Sequence, residues 1–587
     1  MKESDSEGGI YISTYNKQSL SIVIIILAAL ISFPLIELHY GNRISLSRAS
    51  GYYDSAFYLD ILGGGKKTIH YTLDGSEPTA DDPVFNRAAP LYIEDATNRP
   101  NVYSARTDTS TAFRKDLIAQ YEMSDPNYTV PDYLVDKATV VRASLFDSDG
   151  NCLDSVIGTY FVGFQGRDAY QGIYTASVVT SPENLFDADT GIYVTGDVFA
   201  RFLNSELGQG ERMDVPAWND WDANYFGRGL DWEREANLTV FDDHQNIALS
   251  QQCGIRIKGG GSRGFLPKSI GCYAREIYAG SNEFDVDLFK TNIFPHKIVL
   301  FSGGDDNSFK LKDYLANVME RELHFATMDF IPCAMFLNGE YWGMYYITED
   351  YNADYIRDHY SVAGDNIILM KNDELAEDSV EDYEKWLDMR DFISNYNMAE
   401  ADNYSKACKY IDIDSYLDYY AAQIYIARVG DWPGGNYAAW RTRNNDGSRY
   451  GDCKWRWMLF DVNSSGSMEL NIVSDDTLSA VLAADPVFCS LYQSEEFRRR
   501  FAERILYIGK EVFAPEKCDQ FLDQYAKTLR EPIAAGNRRF YNDTKYEEFD
   551  RNVTDMRTFF EQRYDVVWNF LVENMGEEWL SQNGIQK

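Results

Sequence analysis

At 587 residues, with 45% hydrophobic and 15% aromatic content, the chain can build packed cores and has room for more than one domain, which excludes wholesale disorder. A formal charge of -37 excludes nucleic acid as the main partner, because a phosphate backbone needs Lys and Arg to neutralise it. Such acidity describes a solvated, self-repelling surface and says little about chemistry.

Residues 1–18 are polar and short and read as a cytoplasmic tail. The run Leu20 to Ile36, LSIVIIILAALISFPLI, is apolar and uncharged, and predicts a transmembrane signal anchor over residues 19–38. No small-x-small cleavage site follows it, since Glu37, Leu38, His39 and Tyr40 come next, so the anchor is expected to stay uncleaved. A short N-terminal tail is easier to leave in the cytosol than a large domain. The expected location is therefore the cell membrane, single-pass, with the large C-terminal part extracellular.

Residues 43–165 predict a small all-β sandwich. Ile69 to Leu73 alternates as a strand and runs into a DGS turn; a later pair covers Thr139 to Gly150 and Ser155 to Gly163. Residues 98–136 between them are polar and read as a long surface loop. From Tyr174 the pattern is mixed. ASVVTSPENLFDADTGIYVTGD predicts a strand, a helical turn and a second strand, and SQQCGIRIKGG continues the strands with Ile255 and Ile257 on one face. An amphipathic helix is predicted over Ser308 to His324, a hairpin turned at Asn338-Gly339, and helices from Val380 to Tyr396 and through DIDSYLDYYAAQIYIARV. After Asp461 the chain reads as mainly helical. The eight cysteines form no CxxC and meet no histidine at zinc spacing; most read as small core residues, although pairs outside a membrane could be disulfides. HExxH does not occur and none of the six histidines shows a pairing with a nucleophile, so hydrolase chemistry has no support.

Chemistry concentrates in Gln423 to Asn463. An apolar helical run ends at Val429, the loop GDWPGGN brings Asp431 and Asn436, a hairpin crosses NNDG, and Asp461 ends WRWMLFD. A phosphoryl-transfer site needs a base at the acceptor hydroxyl, hard oxygen ligands for a divalent ion and a cation on the phosphates. Asp431 is the candidate catalytic base, and Asn436 and Asp461 are candidate ligands for Mg²⁺ or Mn²⁺. A D-x4-N spacing alone usually just makes a turn; Asp461 and the flanking order give it weight. On the phosphate side, the Gly-rich basic stretch GIRIKGGGSRGFLPKS offers Lys268, Lys258, Ser262 and Arg263. The choice between Lys258 and Lys268 stays open, and a solvated basic patch is the alternative. Glu320, with Glu322 as its rival, is the candidate to orient that lysine, and Glu349 ends a hairpin strand where a nucleotide would lie.

Two resemblances extend this reading. YTLDGSEPT, with RASLFD later, resembles the Fn3-like module found beside chitobiase, which implies a spacer or accessory role and makes carbohydrate a further candidate partner. GIRIKGGGSRGFLPKS, SFKLKDYLANVMERELH, FLNGEYWGMYYITEDYN, GDWPGGN and FDVNSSGS, in that order within residues 174–575, resemble the CotH family. That resemblance implies an α+β chain whose atypical two-lobed protein-kinase-like domain ends in a helical part. It also implies ATP with Mg²⁺ or Mn²⁺ as cofactors, and phosphate transfer to Ser or Thr of surface or coat proteins. The family's KS dipeptide falls on Lys268 and Ser269. One departure stands out: the family pattern WDxDxxxG reads FDVNSSGS here, so Asn463 replaces the second Asp and, as a metal ligand, would bring an amide oxygen but no charge. A non-catalytic envelope-assembly or adhesion protein on a pseudokinase scaffold, and nucleotidyl or glutamyl transfer by the same fold, are the competing readings.

Overall fold

A computed structural model describes residues 41–106, 129–204, 222–372, 374–376, 380–430, 432–463 and 471–587. The expected tail and membrane anchor lie outside the described residues, and among the described residues no helix is long and apolar enough to cross a membrane. The chain is α+β and divides into two compact units, residues 1–95 with 139–163 and residues 96–138 with 164–587.

The described part of the first unit contains strands only: β1 (Ile44–Leu46), β2 (Gly51–Tyr53), β3 (Phe57–Leu59), β4 (Ile61–Gly63), β5 (Thr68–Thr72), β6 (Leu91–Ile93), β7 (Thr139–Phe146) and β8 (Cys152–Val162). A four-stranded sheet in the order β2-β8-β7-β5 is accompanied by the two-stranded pairs β1-β4 and β3-β6. Its apolar residues form two clusters, one around Ile61, Ile69 and Leu145, the other around Leu59, Val141 and Tyr160.

The second unit opens with the segment expected to be a surface loop. Its described ends are tied down instead, because Glu340 is buried and a buried carboxylate needs donors: the N–H groups of Val102 and Ser104 bond it at 2.6 and 2.7 Å. Seven strands follow: β9 (Tyr174–Val179), β10 (Arg234–Phe241), β11 (Ile247–Lys258), β12 (Ser269–Tyr273), β13 (Lys297–Phe301), β14 (Phe330–Leu337) and β15 (Glu340–Thr348). They close into a barrel in the order β10-β11-β12-β13-β15-β14-β9, with β14 and β9 parallel and the other pairs antiparallel. Closure leaves no open sheet edge. Ile255, Ile257, Ile270, Leu300, Met335 and Ile347 belong to its core. The β14–β15 turn is Asn338-Gly339, both at positive φ, with Leu337 facing Glu340 as a two-residue hairpin requires. The second strand expected before Gly196 does not form. Ile192 and Tyr193 donate back to the carbonyls of Asn184 and Leu185 and are buried there, so an apolar run that resembles a strand folds over the preceding helical turn.

The helix expected over Ser308 to His324 is shorter, α1 (Lys312–Met319). Lys310 sits at φ +58°, outside helical geometry, and the Asp306 carboxylate takes the N–H groups of Leu311 and Lys312 at 2.6 and 2.9 Å, which sets the start. Next come β16 (Ile367–Lys371) and β17 (Glu374–Leu375), the helix Val380–Asn395, and α2 (Ile413–Tyr425), buried from Ser415 to its end and started by the Asp412 carboxylate on the Ser415 N–H. β18 (Ala438–Thr442) and β19 (Arg456–Met458) complete a sheet ordered β17-β16-β18-β19. Most of the remainder is helical, chiefly α3 (Pro515–Tyr541) and α4 (Tyr546–Met575). α3 approaches β15 closely at Gly536, where a Cβ would stand 3.2 Å from the Met344 nitrogen. All eight cysteines are free thiols, and Cys253, Cys272, Cys333 and Cys518 are buried.

Candidate functional site

Three pieces of chain converge: the start of α1, the loop after α2 and the loop after β19. Asp313, in the first turn of α1, accepts the Val462 N–H at 2.8 Å on Oδ1 and Nδ2 of Asn463 at 2.8 Å on Oδ2. The same Asn463 nitrogen donates to Oδ1 of Asp461 at 2.5 Å, and its Oδ1 accepts the Asp305 N–H at 3.2 Å. Gly304, at φ +58°, leaves the space this amide occupies, because a Cβ there would stand 3.0 Å from it. Two carboxylates so placed repel each other. Burial pushes Asp313 up; burial first and Asp313 second push Asp461 up to about 7, against the pull of Asn463 and Arg428.

Arg428 joins the two loops. Its guanidinium is fully buried, and one nitrogen, Nη2, donates to the carbonyls of Asn436 (2.8 Å), Phe460 (2.9 Å) and Asp461 (2.7 Å). Nη1 donates to Gln423 Oε1 at 3.2 Å, and Gln423 Nε2 donates to Glu320 Oε2 at 3.2 Å. Glu320 lies just past the end of α1, so that helix reaches the Asp461 loop from both of its ends. Burial pushes the Glu320 carboxyl up to about 8.

The family described as CotH kinase protein matches residues 255–567, more than half of the chain. The chain belongs to the CotH family. A search of curated proteins returns no match. The matched span of this CotH chain contains α1, α2 and both loops, and so every residue of the network just described.

Within that frame the residues singled out by sequence separate into groups. Asn436 and Asp461 are brought together through their backbone carbonyls on Arg428. Asn463 bridges Asp313 and Asp461 through its amide nitrogen, and its oxygen faces a backbone N–H rather than open space. Asp431 lies outside the described residues; the loop resumes at Trp432, whose Nε1 donates to the Tyr419 hydroxyl at 3.2 Å.

Lys268 is fully buried. Its ammonium donates to the carbonyls of Arg263 and Phe265 at 2.7 and 3.4 Å and lies 3.9 Å from the centre of the Tyr225 ring. Arg263 is buried as well, and burial lowers its guanidinium to about 10. It donates to the carbonyls of Gly259 (2.7 Å), Gly227 (2.9 Å) and Tyr225 (3.3 Å). The two cations pin the Gly-rich turn from inside, and Ser262 belongs to that turn. Lys258, at the end of β11, stands instead in a cationic cluster: its ammonium lies 2.8 Å from Asp350, Lys297 bonds the same carboxylate, and Lys371 adds its field. Burial, with Lys297 and Lys371 adding to it, depresses Lys258. Burial alone would raise Asp350, but the lysines hold it far below the usual carboxylate range. The Lys371 ammonium also lies 5.4 Å from the centre of the Phe460 ring, next to Asp461.

The two glutamates meet other partners. Glu320 meets Gln423, with Arg428 as the cation that acts on it, in place of the lysine expected of it. Glu349 pairs with Nε2 of His359 at 2.7 Å and accepts the Asp329 N–H at 3.0 Å.

Among the described residues no three His, Cys, Asp or Glu side chains assemble as a closed metal cage. Mg²⁺ does not ask for one, since it binds through one or two carboxylates together with substrate phosphates and water. Asp461 beside Asp313 is a donor set of that kind, and an added cation would relieve the repulsion by Asp313 that helps to raise Asp461. The residues therefore fit the ion. Sequence reasoning missed Asp313, which looked like one polar position on an amphipathic helix, and Arg428. The second carried a signal, a lone charge inside the apolar run IYIARV.

Proposed function

We propose that this chain is an ATP-dependent atypical protein kinase that transfers the γ-phosphoryl group to Ser or Thr of surface or coat proteins. The observation that supports it is the Arg428 junction, which holds the loops of Asn436 and Asp461 together beside the second carboxylate of Asp313. Asp461 and Asn436 are read as the ligands of the divalent ion and Asp431 as the base toward the acceptor hydroxyl. Lys258 is read as the phosphate cation in preference to Lys268, because its cluster adjoins the Asp461 loop through Lys371 while Lys268 bonds backbone carbonyls. Mg²⁺ or Mn²⁺, when bound, supplies charge neutralisation on the phosphate oxygens. The chain's own residues orient it: Asn463 holds Asp461 and Asp313 in register, and Arg428 holds the loops. Residues 19–38 are read as a membrane anchor that leaves the rest outside the cell, and residues 43–165 as a chitobiase/Fn3-like spacer.

One observation favours a second reading. The Asn463 amide already bridges the two carboxylates by hydrogen bonding, as a pseudokinase that needs no metal would have it. The deciding experiment incubates the full chain with ATP, Mg²⁺ or Mn²⁺ and candidate surface proteins and reads intact mass. The kinase reading expects the increment of one phosphoryl group, lost in Asp461→Ala. A nucleotidyl or glutamyl increment overturns it in favour of those transfers, and no increment with any acceptor favours the pseudokinase.

A further inference from the structure

We infer that Arg428 is a positioning residue for phosphoryl transfer, with Gln423 and Glu320 as the relay that fixes it from the end of α1. The inference rests on the kinase reading for its catalytic consequence but not for its structural one. A single guanidinium nitrogen accommodates three carbonyls from two loops, Asn436 on one side and Phe460 and Asp461 on the other. Backbone carbonyls that crowd together repel, and a charged, planar donor is the group that holds them. An ammonium at the end of a lysine lacks the fork that lets Nη2 reach the carbonyls while Nη1 bonds Gln423.

The relay has a direction. Glu320 and Arg428 are both fully buried, yet no hydrogen bond or ion pair joins them: the Gln423 amide bonds both, accepting from the guanidinium and donating to the carboxylate. Its orientation is thereby fixed, oxygen toward Arg428 and nitrogen toward Glu320. At its other end α1 holds the Asp461 loop through Asp313. A shift of α1 would thus be felt at Asp461 from two sides, and at Asn436 through Arg428. In this chain the arginine relay occupies Glu320, the carboxylate that the sequence assigns to orienting a lysine.

Hydrogen exchange and kinetics on the full chain test this together. In Arg428→Lys, amides in peptides covering 432–437 and 459–463 are expected to exchange about tenfold or more faster, in both loops at once, with the barrel strands unchanged. Phosphoryl transfer is expected to lose about 100-fold in kcat with KM for ATP within about threefold, and to need about tenfold more Mg²⁺ for half-maximal rate. Gln423→Leu, which leaves the three carbonyl bonds in place, should give the same pattern at smaller size and keeps the test open if the arginine variant does not fold. Unchanged exchange in either loop of a folded Arg428→Lys variant overturns the inference, as does a rise in KM for ATP with kcat preserved. Should the wild-type chain transfer no phosphate, the kinase reading falls on that result alone, and the paired loop exchange still decides the role of Arg428.

Discussion

Oδ2 of Asp313 and Nδ2 of Asn463 meet at 2.8 Å across 150 positions of chain, and the same nitrogen reaches Asp461. An asparagine is the residue that fits between a buried and a half-buried carboxylate, because it donates to both and adds no third negative charge.

Asn463→Asp tests that statement. The substitution deletes both donated bonds and places three carboxylates together, so the variant should lose about 1–3 kcal/mol of stability in chelator, more than a surface change of the same type. Mg²⁺ or Mn²⁺ should restore part of the loss, as thermal unfolding with and without the ion would reveal. A variant equally stable in chelator would mean that the carboxylates do not face each other in solution.

Asp461→Asn should separate chemistry from folding. Removing one of two repelling charges leaves the melting temperature unchanged or raises it, while on the kinase reading phosphoryl transfer falls by about 100-fold or more, because the proposed charged ligand of the ion is lost. Parallel melting curves and transfer assays read the two effects apart.

Stability should depend on pH through Glu320. Its carboxyl is pushed up to about 8 from the ordinary 4.5 by burial, so the folded state holds the proton more tightly than the unfolded state does. The resulting contribution is fully present below pH 4.5 and is lost as pH rises through about 8. Glu320→Gln, neutral throughout, should flatten that slope and be more stable than wild type at pH 8 by on the order of 2–4 kcal/mol, with little difference at pH 5. Denaturant unfolding at the two pH values measures it.

The two lysines should part company. On the kinase reading, Lys258→Met is expected to raise KM for ATP about tenfold while the protein stays folded, since the cluster would lose one of its cations. Lys268→Met leaves the carbonyls of Arg263 and Phe265 without their donor and should cost about 1–3 kcal/mol of stability, any loss of activity following the loss of folded protein. Initial rates over a range of ATP, set beside melting temperatures, distinguish them.

Local patterns carried much of the fold. Asn338-Gly339 announced its hairpin because a primed two-residue turn needs positive φ at both places, a demand that few residue pairs meet. Alternation placed Ile255 and Ile257 together in the barrel core. The order around the hairpin singled out Asn436 and Asp461; what the structure joins on Arg428 is their backbone carbonyls. What had no local sign was decided by burial. Ile192 to Val194 read as a strand because apolar runs are ambiguous until their neighbours are known. Lys268 and Lys258 are alike as letters, and only packing gives one of them carbonyls and an aromatic face and the other a carboxylate among lysines. Arg428 and Asp313 belong to the same class. A charged side chain acquires its role from the partners that low dielectric forces upon it, and those partners come from distant stretches of chain that only the tertiary fold brings together.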